Sequence, residues 1–113
     1  MSHRIIEARR AEQRQLIERA RAWAATLDPA LGIESVTVFG SVARGDFNLD
    51  SDIDVLVVAD HLPTRWLDRI AAIDRDRPGR VAPLAWTPSE LDVMRAKRNP
   101  IALEADALGV RIR

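Results

Sequence analysis

The chain has 113 residues, 47% of them hydrophobic and 30% charged, the balance of a folded globular domain and not of a disordered tail. Its 17 basic and 17 acidic side chains cancel, which argues against the clustered positive surface that broad, sequence-blind nucleic-acid binding requires. No cysteine is present, so disulfides and thiolate metal sites are excluded, and His3 and His61 have no zinc spacing.

The N-terminus alternates Arg and Glu where a secretory signal would be apolar. The first segment reads instead as a helix over about 3–27, with Ser2 as a possible N-cap. Ile5, Ile6, Leu16, Ile17, Ala20, Trp23, Ala24 and Leu27 recur every three to four positions. Asp28-Pro29 stops it, because proline disfavours helical geometry in the residue before it. Ile33 to Phe39 is a β-branched strand, followed by a loop over Gly40 to Ser51. Ile53 to Ala59 is the strongest strand, and its continuous apolar composition implies cover on both faces. Val55 to Ala59, at five residues the longest purely apolar run, is far too short to cross a bilayer.

A second helix opens at Pro63 and Thr64, with Trp66, Leu67, Ile70, Ala71 and Ile73 as its apolar stripe. It ends in the charged Asp74 to Arg77 stretch and the Pro78-Gly79 turn. Val81 to Trp86 is a third strand, and Pro83 within it demands an edge or a bulge. Thr87-Pro88-Ser89-Glu90 has the form of a capping box, so a helix starts there and carries Leu91, Met94 and Ala96 inward. Asn99-Pro100 breaks it, a short helix runs to Leu108, and Gly109 releases the chain into a last strand over Val110 to Arg113. The expected architecture is α/β (α+β): a small mixed β-sheet flanked by helices, one domain over 1–113, soluble and cytoplasmic, with no membrane segment.

The chemistry is concentrated in residues 36–60, VTVFGSVARGDFNLDSDIDVLVVAD. Gly40 at a strand end permits a sharp turn and leaves room for a ligand beside the main chain. Ser41 is placed to cap a short Val42 to Arg44 turn that Gly45 ends, and a helix start with free N–H groups suits phosphate. Arg44 adds a guanidinium for the same phosphates. An ordinary strand–turn–helix with a serine cap accounts for the same residues. Asp52 and Asp54 are two apart at a strand mouth, so they share one face while Ile53, Val55 and Val57 take the other. Paired carboxylates beside an apolar strand repel each other and resist desolvation, and a hard divalent cation relieves both costs. A solvated strand entrance, after the turn-forming Asn48, Asp50 and Ser51, accounts for the pair equally. Asp46, Asp50 and Asp60 read as solvated turn residues.

Gly40-Ser41, ten intervening residues, then Asp52-Ile53-Asp54 resembles the motif of the polymerase β-like nucleotidyltransferase superfamily, above all its short, minimal nucleotidyltransferases. The match is close over about 36–60 and elsewhere extends only to length and element order. The resemblance implies the nucleotidyltransferase fold and transfer of a nucleoside monophosphate, AMP from ATP first among them, to a protein or small-molecule hydroxyl. It implies Mg²⁺ (or Mn²⁺) on Asp52 and Asp54, the β- and γ-phosphates at Gly40 and Ser41, and Arg44 steadying the triphosphate. One departure stands out. The family usually carries a third carboxylate on a later strand, and here Val81-Ala82-Pro83-Leu84-Ala85-Trp86 has none, with Ala82 or Leu84 at that place.

The superfamily's larger enzymes add a helical domain that presents the acceptor. By resemblance, a homodimer or a small helical HEPN-class protein supplies that surface here, the chain being the antitoxin of a toxin–antitoxin pair. A catalytically impaired nucleotide-binding or antitoxin module is the alternative. Trp23, Trp66 and Trp86 are each either core or contact, and 16 arginines against the single Lys97 suit interfacial ion pairs.

Overall fold

The computed structural model describes residues 2–74 and 77–113. Helix α1 (His3–Ala25) leads through a 3-10 turn (Pro29–Leu31) into β1 (Ile33–Phe39), α2 (Gly40–Arg44) and β2 (Ile53–Ala59). Then come α3 (Trp66–Ile73), β3 (Val81–Trp86), α4 (Pro88–Ala96), α5 (Pro100–Leu108) and β4 (Val110–Arg111). The sheet order is β3-β2-β1-β4. β1 pairs antiparallel with β2 and β4, whereas β2 and β3, joined through α3, run parallel. This is the mixed α/β sheet expected from the sequence.

β2 is central, and its alternation divides the interior in two. Val55 and Val57 face Leu16, Ala20, Trp23 and Leu27 of the N-terminal segment together with Val42, Phe47 and Ile73. Leu56 and Val58 face the opposite way, toward Phe39, Trp86, Leu91 and Ala102. Each fully buried Val or Leu contributes about 1.5–3 kcal/mol relative to exposure, so the double cover explains the strand's uninterrupted apolar run. β3 is an edge strand, which is why Pro83 is accommodated opposite Val55. Trp23 and Trp86 are core residues, and Trp66 is about half exposed.

Several expectations are corrected. α1 stops at Ala25 with Thr26 as C-cap, two residues short of 27, and Asp28 instead caps the 3-10 turn by accepting from the Ala30 N–H at 2.9 Å. Ile5 and Ile6 are exposed, the inward contacts of α1 beginning at Arg9 and its fully buried residues at Leu16. Ser2 does cap α1, accepting from the Ile5 N–H at 3.3 Å. On α3 most of the expected stripe faces outward: Trp66, Leu67, Ile70 and Ala71 are exposed, Ile73 alone of it is buried as expected, and Arg69 is buried with it. The charged stretch after α3 includes residues 75 and 76, which lie outside the described residues. On α4, Leu91 is buried and Met94 half-buried, but Ala96 is exposed.

Arg69 explains the reversed face of α3. Its Nε donates to the Pro63 carbonyl at 3.0 Å, and Nη1 donates to the Ala85 carbonyl of edge strand β3 at 3.2 Å. Nη1 also donates to both Glu90 oxygens, at 2.8 and 3.1 Å. Glu90 in turn closes the capping box of α4: it accepts from the Thr87 N–H at 2.8 Å and its own N–H donates to Thr87 Oγ1 at 3.2 Å. A buried guanidinium is tolerable only when satisfied in this way.

Burial alone would push the Glu90 carboxyl up, but hydrogen bonds from the Thr87 backbone and the Arg69 guanidinium outweigh it and hold the group below the usual glutamate value. A depressed folded pKa stabilises above the unfolded value of 4.5 and loses that contribution as pH falls through the folded value. Urea unfolding across this range is therefore expected to show Glu90→Gln less stable than wild type at neutral pH, with the gap closing on acidification.

Candidate active site

Gly40 opens α2 at the end of β1 with φ +76°, a conformation side-chain-bearing residues rarely adopt. Space forbids a side chain as well. A Cβ on Gly40 would collide with Asp54 Oδ2 and stand 3.2 Å from Asp54 Cγ. The register explains the meeting, since Asp54 of β2 lies directly across from Phe39, the residue before Gly40. The Asp54 carboxylate thus rests against the bare Cα at the turn into α2.

α2 is held from behind by α1. Gln13 Nε2 donates to the Val42 carbonyl at 2.8 Å and to the Ala43 carbonyl at 3.3 Å. Arg9 Nη2 donates to the carbonyls of Gly45 and Phe47, and its guanidinium lies 4.5 Å from the centre of the buried Phe47 ring. Gly45, at φ +90°, ends the helix through its N–H to the Ser41 carbonyl at 2.8 Å. The carbonyls of Ser41, Val42 and Ala43 are thereby occupied, while the N–H groups of the helix's first turn have no intrahelical partner. Ser41 is not the N-cap. Phe39 holds that position without a side-chain bond, and Ser41 lies one residue inside the helix, where its backbone N–H is among the free donors.

Asp52 is exposed just before β2, and Asp54 is half-buried. The loop ahead of them is ordered by short-range bonds. Asn48 Oδ1 accepts from the Asp50 N–H at 2.8 Å, and Ser51 Oγ accepts from the Asn48 N–H at 2.8 Å. Arg80, itself at φ +76°, reaches across from the start of β3: Nε donates to the Ser51 carbonyl at 2.9 Å and Nη2 to the Asn48 carbonyl at 3.3 Å. Its own carbonyl accepts from the Ile53 N–H at 2.6 Å. Neither Arg80, Arg9 nor Gln13 carries a sequence signal, since each acts on main-chain carbonyls remote in sequence.

Burial pushes the Asp54 carboxyl up, the nearby charges of Asp52 and Glu104 push it further, and Arg44 opposes them. Arg44 is an ion pair on both sides. Its Nε donates to Asp46 Oδ2 at 3.2 Å and its Nη1 donates to Glu104 Oε1. These bonds, Asp46 first and Glu104 second, hold its guanidinium above the usual arginine value. Asp46 is therefore paired as well as exposed, while Asp50 and Asp60 are exposed as expected. Glu104 of α5 was not legible in the sequence. The topology alone brings it to this corner.

Across the parallel pair, Asp54 is in register with Ala82 and Leu56 with Leu84. Ala82 thus holds the neighbouring-strand position beside Asp54, and Leu84 packs against the Leu56 and Trp86 core. Among the described residues no three His, Cys, Asp or Glu side chains form a metal-holding group. The donor set that is present is two carboxylates, Asp52 and Asp54, of which Asp54 is raised first by burial and then by the charge of Asp52. Two carboxylates are a donor set that would suit one hard divalent cation, which takes oxygen ligands. A separate cleft, lined by Thr26, Leu27, Asp28, Leu31 and residues 71–74, includes none of these groups.

Gly40 and Asp54 thus meet where the end of β1 lies beside the start of β2. The family model for the nucleotidyltransferase domain matches residues 17–103, and the chain belongs to that family. A solved structure from Sulfolobus solfataricus, described as a "putative nucleotidyltransferase", is similar over 75% of this chain and 78% of its own, with a TM-score of 0.66 and 28% identity. A Methanocaldococcus jannaschii protein named "Putative protein adenylyltransferase MJ0141" is 47% identical over 32 residues, 28% of this chain. The match spans 32% of that relative's length. No helix among the described residues is long and apolar enough to cross a membrane.

The raised Asp54 group makes a prediction about stability without metal. Its folded pKa lies above the unfolded value of 3.8, so its ionised form opposes folding at neutral pH and ceases to do so below that value. In EDTA, thermal melts are expected to show Asp54→Asn more stable than wild type at pH 7, with the gain vanishing in acid. Adding Mn²⁺ is expected to stabilise wild type and leave the variant unchanged.

Proposed function

We propose that this chain transfers a nucleoside monophosphate from a nucleoside triphosphate to a hydroxyl of a protein or small molecule, with ATP as donor and AMP as the transferred group. The observation that carries this reading is the Asp54 carboxylate seated against the bare Cα of Gly40 and electrostatically coupled to Asp52. In this reading Asp52 and Asp54 hold Mg²⁺ or Mn²⁺. The ion would neutralise phosphate charge and polarise the α-phosphoryl group. The free N–H groups at Gly40 and Ser41 receive the β- and γ-phosphates, and Arg44 presents its guanidinium to the same chain of phosphates. The acceptor oxygen bonds to the α-phosphorus as the bond to the bridging oxygen breaks. Pyrophosphate leaves with that oxygen, and the hydroxyl proton passes to solvent. Such transfer is chiefly positioning plus charge neutralisation, which a rigid strand-end site supplies.

The Mg²⁺ and ATP assignments rest on the chemistry of the donor set and on family membership. The adenylyltransferase name of the M. jannaschii relative supports AMP as the group moved.

Ala82 favours a second reading, a nucleotide-binding or antitoxin module that engages a helical HEPN-type partner or a second copy of itself with little turnover. A single alanine stands where another carboxylate would share the second ion. The exposed Trp66, Leu67 and Ile70 of α3 offer such a partner an apolar face.

Incubation with α-³²P-ATP and Mg²⁺, with small-molecule hydroxyls and the protein encoded by the neighbouring gene as acceptors, separates the two readings. Transfer is expected from wild type, with a loss of about a hundredfold or more in Asp52→Asn, since the ion contributes several kcal/mol. Label on no acceptor, with ATP still bound, favours the binding module. Under that reading Ala82→Asp is expected to tighten Mn²⁺ and raise transfer, and an unchanged rate would contradict it.

A further inference from the structure

Arg44 is the basic side chain that the proposed function directs at the triphosphate, and in the structure its charge is already engaged. Nε is committed to Asp46, two residues along the same loop, and Nη1 to Glu104, which arrives from α5 on the far side of the sequence. Both guanidinium and carboxylate are only partly exposed, with side-chain values of 37% for Arg44 and 27% for Glu104. A guanidinium offers five donors in a rigid fork, so two carboxylates leave Nη2 and one hydrogen of Nη1 for any ligand. Charge counts the same way. Asp46 and Glu104 both bond Arg44, and Asp54 lies within reach of its charge. Arg9 and Arg10 line a pocket beside it, but neither is bonded to these carboxylates, so a metal-free triphosphate competes with the carboxylates for Arg44.

We infer that Glu104 is an internal competitor for the triphosphate, holding Arg44 in an ion pair that a metal-bound nucleotide must displace. The inference rests on the nucleotide reading given above. It makes Glu104 a positioning residue that touches Arg44 and no reacting atom. Its consequence is discrimination: the pair penalises nucleotide that arrives without a cation and sets the affinity for nucleotide that arrives with one. A purely structural role, tying α5 to α2, would give Glu104 no effect on nucleotide that depends on Arg44.

Calorimetric titration of ATP into the full chain, with Mg²⁺ and separately in EDTA, tests this on wild type, Glu104→Gln, Arg44→Ala and the double variant. Glu104→Gln is expected to lower the ATP Kd about two- to fivefold, the range for freeing one partly exposed ion pair, with the larger gain in EDTA. The gain is expected to vanish in the Arg44→Ala background. A Kd that is unchanged or raised, or a gain that persists without Arg44, overturns the inference. If Glu104→Gln melts at a markedly lower temperature, Glu104→Ala provides the same comparison. ATP binding by wild type without an Arg44-dependent gain overturns the role of Glu104 alone. No ATP binding by any variant, with Mg²⁺ present, overturns the nucleotide reading and this inference together.

Discussion

Where two strands end side by side, one backbone position must lack a side chain so that the carboxylate of the other strand has somewhere to stand. Gly40 and Asp54 are that pair. A Cβ at Gly40 would occupy the space of Asp54 Oδ2, and the +76° φ would strain it besides. The antiparallel register of β1 and β2 sets the meeting point by placing Phe39 opposite Asp54. Everything else in the corner maintains it. α1 grips the back of α2 through Gln13 and Arg9, and Arg80 fixes the loop that delivers Asp52.

The rigidity comes from the two-sided burial of β2. A one-residue slip of β2 would turn Asp54 toward the core that holds Leu16 and Trp23 and bring an apolar side chain to the Gly40 turn in its place. The carboxylate is thus held in an unfavourable place, partly desolvated and next to Asp52, by packing energy from Val55, Leu56, Val57 and Val58. Electrostatic strain at a site, sustained by a well-packed scaffold, is common where a bound cation later relieves it.

Much of this was legible in the sequence, for physical reasons that differ by element. The apolar run of β2, the capping box at Thr87 and the Asn99-Pro100 break are local signals, and each marks an element where expected. The sharp turn at Gly40 and the placing of Asp52 and Asp54 at a strand mouth were legible because both are local to one stretch of chain, whereas Ser41 proved not to be the cap. The face of α3 was not. Its apolar residues suggested an inward stripe, yet an edge strand needed its Ala85 carbonyl satisfied and Arg69 took the buried position. Glu104 and Arg80 were illegible because their partners are distant in sequence, and no local pattern encodes a contact made only by topology.

The central claim is that Asp52 and Asp54 form a divalent-cation site facing the α2 turn. Diffraction from crystals soaked in Mn²⁺ with a non-hydrolysable ATP analogue tests it directly through the anomalous signal of the metal. The account predicts a peak about 2.0–2.6 Å from oxygens of both carboxylates, with phosphate oxygens against the Gly40 and Ser41 main chain. Manganese bound elsewhere, or a triphosphate lying away from that turn, would contradict it.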